Sequence, residues 1–473
     1  FPISIYWSLR RFSFDPLTCA MGALVASLIG NDFQGWGGFG YVNYSFSGFG
    51  LYTQLWGMVL LPIALALGYQ TIRTGQGYFW ATLFLSATLM SHLLYGYMAF
   101  VTLGFLAFIP NPDIKSSVQA IFAHWKRLLL VFGLVVCVTL YFIVPFLLDQ
   151  EHFGHIAANL EQITFDSFGF QVVLEALVKG DLFDFGRFPS ISILILGGIG
   201  SCIFYRRESR YLVPILIFVI WLLLFFGRTT WGSAIDLLPF SQNIHMHRFI
   251  GGVHLGGIFL AAAALAVPLR WAVTRGNKWY IAAVLLLTLV LLAPVYIERT
   301  TYLSDNAAKK QENQAGLKAE QADMDNLIKT LRALPPGRVY AGLSTASGEE
   351  RWGLRYKIGL VPVGLILGAA GLDIFSATLQ RYSLISNALA PFDESSPHHY
   401  NLFNIRYVVI PEDFQVPDFM KPVKQFGRHE IFKVETTGYF DLVGSRLALE
   451  GDKEAYMSGA KAWLTSGFPE AKL

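Results

Sequence analysis

The stretch Asp236-Leu-Leu-Pro-Phe-Ser-Gln-Asn-Ile-His245-Met-His247-Arg248-Phe-Ile-Gly-Gly-Val-His254 joins a polar loop to a long apolar segment. Three histidines and one arginine gather at the entrance of a predicted membrane helix, where charge is costly unless it is solvated, paired or functional. The glycines of residues 251–257 have the spacing of a small-residue face on which a second helix packs closely. The stretch therefore predicts a central membrane helix with a candidate binding site at its start.

Arg248, His245 and His247 are the candidate substrate-binding residues of this stretch. A guanidinium offers two parallel donors that match a phosphate group. The alternative is that Arg248 extends to the membrane interface as a snorkelling side chain and that the histidines are ordinary loop residues. His245 and His247 are two residues apart, and no further ligands at a diagnostic spacing indicate a zinc site.

The composition is that of an integral membrane protein with a polar appendage. Of the 473 residues, 54% are hydrophobic and only 15% are charged, compared with roughly 25% charged residues in a soluble domain. No basic groove interleaved with aromatic residues suggests nucleic-acid binding. Cys19, Cys137 and Cys202 are widely spaced in apolar segments, so they indicate neither a disulfide framework nor a zinc site.

Apolar runs predict about nine membrane helices, since one span needs about 20 apolar residues and fewer where a helix is short or re-entrant. The runs are 16–30, 51–69, 78–109, 128–148, 191–205, 211–226, 249–271 and 279–296. The run 78–109 is too long for one straight span, and Ser91-His92 in its middle suggests two short helices that meet at a polar turn. The alternative is a single tilted helix with a buried His92.

The distribution of Lys and Arg predicts the orientation, because short cytoplasmic loops carry an excess of both. With 78–109 divided, one set of loops holds most basic residues, including Arg206, Arg207 and Arg210, and the opposite set is acidic. With 78–109 as one span, Arg10 and Arg11 would be placed outside. We therefore expect a multi-pass protein of the plasma (inner) membrane whose C-terminal part is extracytoplasmic.

The fold class predicted is an α-helical polytopic membrane bundle followed by a smaller extracytoplasmic α/β domain. The helical domain covers 1–298 and has outer loops at 31–50, 149–190 and 227–248; the α/β domain covers 299–473. The second outer loop is acidic and contains a predicted amphipathic helix around Phe170–Val178. Strands are predicted at 338–342, at 404–410 and at 429–434, the last with alternating apolar and polar residues.

The outer loops also contain candidate catalytic and metal-binding side chains. Asp32, His92 and Glu151 are the candidate acids or bases. Asp181 and Asp184 form a spaced acidic pair whose oxygens suit Mg²⁺ or Mn²⁺, although such pairs also occur by chance in acidic loops. Spacing alone therefore identifies no site. Aromatic residues in 31–50 either stack on a sugar or form an interfacial belt.

Taken together, these features resemble GT-C-type glycosyltransferases, and in particular the bacterial and archaeal branch labelled 6-pyruvoyl-tetrahydropterin synthase-related membrane proteins. The resemblance covers nearly the whole chain through loose motifs. Besides the Leu-Pro-Phe…His-Arg-Phe entry into the Gly-rich helix, it is carried by Phe1-Pro-Ile-Ser-Ile-Tyr-Trp-Ser-Leu-Arg-Arg, Ser91-His92-Leu-Leu and Tyr400-Asn-Leu-Phe-Asn-Ile-Arg-Tyr-Val-Val.

The resemblance implies transfer of a sugar from a polyprenyl-phosphate donor to a glycan, lipid or protein acceptor on the outer face of the membrane. It implies that Arg248 lies near the donor phosphate. The catalytic Asp or Glu of such enzymes usually lies in the first outer loop, which would precede Phe1, so we expect the chain to be incomplete at its N-terminus. Two other classes stay open: a transporter or flippase of lipid-linked glycans, and a non-catalytic membrane assembly subunit.

Overall fold

The computed structural model describes residues 1–30, 40–41, 52–110, 117–149, 165–241, 244–343, 352–375, 392–444 and 453–472. The chain is mostly helical, with a small sheet near its C-terminus. It divides into two compact units. Within the described residues, the first comprises 1–147 and 165–303, and the second comprises 148–149 and 304–472.

Helices make up the first unit, most of them apolar, and the last begins at Lys278 and continues past the end of the unit at Leu303. In chain order they are α1 (Pro2–Arg11), α2 (Pro16–Leu28), α3 (Tyr52–Thr74), α4 (Tyr78–Ser91), α5 (Leu93–Leu106), α6 (Ser117–Leu148), α7 (Phe170–Lys179), α8 (Asp181–Asp184), α9 (Ser190–Phe204), α10 (Leu212–Phe225), α11 (Arg228–Trp231), α12 (Ile250–Thr274) and α13 (Lys278–Ala319). Short 3-10 turns at Ser209–Tyr211, Gly232–Leu237 and Met246–Phe249 join several of them.

Among the described residues, four helices are long and apolar enough to cross a membrane. They are Tyr52–Thr74, Val118–Leu148, Met246–Thr274 and Lys278–Ala319. The segments Ser209–Phe225 and Arg228–Leu237 pass the same test together and are bent by 75°, which makes a fifth candidate. Helices α2, α4, α5 and α9 are apolar but shorter. By length and composition these helices are candidate membrane spans, since about 20 apolar residues in a helix match the hydrocarbon thickness.

The break predicted at Ser91-His92 is confirmed. Helix α4 ends at Ser91 and α5 begins at Leu93, while His92 is extended, with φ −161° and ψ 113°. The carbonyl oxygen of His92 accepts hydrogen bonds from the amides of Tyr95 (3.0 Å) and Gly96 (3.1 Å), so it starts the second helix. The run 78–109 is therefore two short helices.

Helix α12 is central to the first unit, since 89% of its most apolar 18-residue stretch is buried. It packs against α2, α9 and α10. A Cβ atom on Gly252 would lie 2.1 Å from the Trp221 ring, and one on Gly256 would lie 2.6 Å from the Phe218 backbone. The predicted small-residue face is therefore confirmed, because any larger residue at these positions would force α10 away.

The second unit contains a four-stranded sheet in the order β1-β4-β6-β5. Its elements are α14 (Gln321–Ala333), β1 (Arg338–Tyr340), β2 (Lys357–Ile358), β3 (Val361–Pro362), α15 (Val363–Ala369), α16 (Pro397–Leu402), β4 (Ile405–Pro411), β5 (Lys421–Phe426), β6 (His429–Lys433) and α17 (Lys453–Leu464). Strand β1 is parallel to β4, and β6 is antiparallel to both β4 and β5. Strands β2 and β3 form a separate two-stranded sheet.

Strands β1, β4 and β6 form where they were predicted, with Tyr407–Ile410 of β4 buried in succession, whereas β5 was not predicted. All five exposed residues of β5 precede Phe426, so no buried stripe reveals it in the sequence. The hairpin β5–β6 turns at Gly427-Arg428, where Gly427 has φ 53°, as the first position of such a tight turn requires. Helix α13 runs without interruption through the predicted domain boundary at 298/299.

Candidate functional site

The candidate site begins with the 3-10 turn Met246–Phe249, directly before α12. His245 is its N-cap residue, and the amide of Arg248 donates to the His245 carbonyl oxygen at 3.1 Å. This tight turn brings the three side chains of the motif close together. His247 is buried, with 2% of its surface exposed, whereas His245 and Arg248 are half-buried.

The rings of His245 and His247 are 5.8 Å apart between centroids and meet at 77°. The positive charge of Arg248 acts on the imidazoles of both His245 and His92. The structure therefore brings His92, about 150 residues earlier in the sequence, into the neighbourhood of the motif. These four side chains are called the entrance cluster below.

Tyr95 connects His92 to the start of α12. The rings of His92 and Tyr95 meet edge to face at 5.4 Å, and the Tyr95 hydroxyl lies 2.8 Å from the position of a Cβ atom on Gly251. On its other side, His92 approaches α3, because a Cβ atom on Gly57 would lie 3.1 Å from the His92 Cβ. The break between α4 and α5 thus places His92 beside α3, and Tyr95 links it to α12.

Burial lowers the pKa of His245 to about 4, and the charges of Arg248 and Arg228 act in the same direction. A neutral imidazole holds one donor and one acceptor nitrogen at neutral pH. In the part of the motif outside the helix, the positive charge is therefore carried by Arg248, and His245 contributes hydrogen-bonding groups without charge.

Arg228 supports the loop that leads into the entrance cluster. Its Nη1 donates to the carbonyl oxygens of Phe165 (2.9 Å) and Ile244 (3.3 Å), and its Nη2 donates to the carbonyl oxygen of Ser241. The guanidinium carbon also lies 3.9 Å from the centroid of the Phe165 ring. No spacing signal in the sequence connects Arg228 to Ser241 or Ile244.

Within the acidic pair of α8, the carboxylate of Asp184 makes structural hydrogen bonds. Both carboxylate oxygens of Asp184 are occupied, since Asp184 accepts hydrogen bonds from the amide (2.7 Å) and hydroxyl (2.8 Å) of Ser192, the amide of Ile191 (3.1 Å) and Nε of Arg187 (3.0 Å). Asp184 therefore holds the first turn of α9. Asp181 does not share these partners. No group of three metal-binding side chains occurs among the described residues.

Arg187 extends this arrangement across the first unit. Its Nη1 donates to the carbonyl oxygen of Gly30 (2.7 Å) and to Oε2 of Glu298 (2.5 Å). His254 contributes a further link, because its Nε2 lies 3.0 Å from the carbonyl oxygen of Leu182 in α8. His254, the third histidine of the stretch 236–254, thus contacts α8.

Two of the three candidate catalytic residues, Asp32 and Glu151, lie outside the described residues, as does most of the aromatic loop 31–50. The third, His92, belongs to the entrance cluster. The described part of the chain consequently assigns no carboxylate base. Comparison with protein-family models and with curated proteins finds no match for this chain.

Proposed function

We propose that this protein is a GT-C-type membrane glycosyltransferase that moves a sugar from a polyprenyl-phosphate donor to a glycan, lipid or protein acceptor. The observation that carries the proposal is the convergence of Arg248 with His92, His245 and His247 at the start of the buried, glycine-rich helix α12. An arginine and several imidazoles at a membrane-helix entrance are suited to a phosphate group whose lipid tail stays in the bilayer.

The chemistry requires a group that stabilises the departing lipid phosphate. Negative charge develops on this phosphate as the glycosidic bond breaks, and a positioned guanidinium interacts with it more strongly as that charge grows. Half-burial of Arg248 reduces screening by water. The neutral His245 supplies a hydrogen bond at the same site. A carboxylate that deprotonates the acceptor hydroxyl completes the proposed reaction.

The proposal includes about nine membrane helices in a plasma (inner) membrane, with the second unit on the extracytoplasmic side. Its support is the concentration of basic residues in one set of loops, among them Arg206, Arg207 and Arg210. Single cysteines in place of Ser209 and of the exposed Asp413 should therefore label from opposite sides with an impermeant thiol reagent. Labelling of both from the same side of intact cells would refute this orientation.

The test of function is sugar transfer from polyprenyl-phosphate donors by the full-length protein in proteoliposomes. We expect Arg248→Ala to abolish transfer and Arg248→Lys to retain a small fraction, because lysine keeps the charge and loses the two-pronged geometry. Arg275→Ala, at the opposite end of α12, is the matched control and should leave transfer unchanged. Normal transfer by folded Arg248→Ala would show that Arg248 is only an interfacial residue.

The same proteoliposomes separate the alternatives. A flippase would move the lipid-linked sugar between leaflets without forming a glycosylated product, and an assembly subunit would do neither. Measuring product formation and leaflet exchange of the donor in parallel distinguishes the three classes. Leaflet exchange that depends on Arg248, in the absence of product, would replace the transferase proposal with transport.

A further inference from the structure

Helix α7, Phe170–Lys179, presents three different faces. Val173 and Ala176 are buried against the first unit, with 0% and 2% of their surfaces exposed. Glu175 and Lys179 form an exposed ion pair at 2.5 Å. Val172, which is 43% exposed, lies at one edge of the buried face, and the third face, at the other edge, holds Phe170, Leu174 and Val178, which are apolar and exposed. At about 100° per residue, these three positions span only about 80° of the helix circumference.

The exposed apolar face therefore forms a narrow stripe, with exposures of 46% at Phe170, 40% at Leu174 and 83% at Val178. It adjoins the buried face, so the apolar arc of the helix is wider than the part that the protein covers. The ion pair lies beyond the other edge of the stripe. This distribution is typical of a helix that lies at a membrane surface with its charged face toward water.

The two ends of α7 lie next to the ends of two apolar helices, α10 and α9. At its start, the amide of Gly169 donates to the carbonyl oxygen of Phe226 (3.1 Å), directly after α10 ends. Beyond its end, Asp184 of α8 binds the first-turn amides of α9 at Ile191 and Ser192. Helix α7 thus extends from the end of one apolar helix to the start of another.

We propose that α7 is an interfacial helix that lies in the headgroup layer of the bilayer, with Phe170, Leu174 and Val178 inserted toward the acyl chains. Phe170 of the stripe meets the ring of Phe226, directly after α10, at 6.4 Å between centroids, so a lipid surface that covers the apolar helices would also reach the stripe. The inference does not depend on glycosyl transfer. It identifies lipid as the partner of this face, on the same side of the helices as Arg228 and the entrance cluster.

Nitroxide scanning of the full-length protein in nanodiscs of phosphatidylethanolamine and phosphatidylglycerol tests the proposal. Of the native cysteines, Cys137 is exposed and would be replaced by serine in the background; Cys19 and Cys202 are buried. Single cysteines would then replace each of the three stripe residues, and Glu175 and Lys179 provide matched controls on the charged face. At each labelled position, the collision rate of the nitroxide with oxygen, which concentrates in lipid, is compared with its collision rate with a water-soluble nickel chelate.

We expect the oxygen-to-nickel ratio to be several-fold higher at positions 170, 174 and 178 than at 175 and 179. Water-like ratios at all five positions would overturn the proposal. Labels on the stripe that are immobile and accessible to neither reagent would also overturn it, because they would show that a protein surface covers this face. All five positions are exposed on one helix, so three independent stripe variants keep the test decisive if one of them is poorly expressed.

Discussion

The guanidinium of Arg228 donates a hydrogen bond of 3.3 Å to the carbonyl oxygen of Ile244, the residue immediately before His245. The same side chain holds Phe165 and Ser241. One side chain thus joins Phe165, within the second outer loop, to the segment that enters the candidate site. We infer that Arg228 positions the entrance cluster.

Arg228→Lys should loosen this segment, because an ammonium group cannot reach the three carbonyl oxygens in the same fan-shaped geometry. A hydrogen bond to a charged group contributes about 1.5–3 kcal/mol, so loss of one such bond should speed local amide exchange by about 10- to 100-fold. Hydrogen-exchange mass spectrometry of the peptide that contains 244–249 measures this. Arg275→Lys is the control, and unchanged exchange in Arg228→Lys would contradict the positioning role.

Asp184→Ala should destabilise the first unit strongly. The substitution removes the acceptor for the first turn of α9 and leaves Arg187, whose side chain is only 10% exposed, with Glu298 but without its partner in α8. Loss of one partner of a buried pair costs about 3–5 kcal/mol. Thermal unfolding in detergent should show a clear decrease in Tm for Asp184→Ala and almost none for the matched Asp181→Ala. Equal effects of the two substitutions would exclude this structural role of Asp184.

A buried network in the second unit should make its stability depend on pH. Nε2 of His429 lies 2.7 Å from Glu320 and Nδ1 lies 2.6 Å from the Tyr356 hydroxyl. These partners suit a neutral imidazole that donates to the carboxylate and accepts from the phenol. Burial lowers the pKa of His429, and the hydrogen bond to Glu320 offsets this only in part.

The folded state disfavours protonation of His429, whereas the unfolded chain binds this proton. The contribution of His429 to the free energy of unfolding should therefore be complete above about pH 6.5 and should decrease as the pH falls toward the lower folded-state pKa. Native-state hydrogen exchange of β4 and β6, corrected for intrinsic rates, should show this loss between about pH 7 and 5. His429→Gln should remove most of the dependence, whereas His398→Gln, at an exposed position, should not. A pH dependence that survives in His429→Gln would assign it to another group.

Val409→Asp should prevent folding of the second unit. Val409 is fully buried in β4, opposite Ile431 of β6. Burial of a valine side chain contributes about 1.5–3 kcal/mol, and a buried carboxylate adds a larger cost. Yield of folded protein by size-exclusion chromatography is the measurement. Val423→Asp, in β5 with 39% exposure, is the matched control; similar yields from both variants would show that β4 is not core.

The sequence by itself determined features that depend on neighbours along the chain. Run length and apolar content predict membrane helices, and the polar pair Ser91-His92 predicts the break between α4 and α5, because hydrogen bonding within a helix is local. The spacing of Gly252 and Gly256 likewise indicates a close helix contact. In the second unit, the short apolar run up to Ile410 predicts β4, whose two faces are both buried.

Tertiary structure alone decided which side chains meet. Arg187 contacts Gly30 across 157 positions, and Arg228 reaches Phe165 across 63; no local pattern encodes either pairing. The spacing of Asp181 and Asp184 predicts a candidate metal site, whereas the fold places the oxygens of Asp184 against the first turn of α9. A structural carboxylate and a metal-binding carboxylate are the same side chain in the sequence. They differ in the donors that the fold brings within hydrogen-bonding distance.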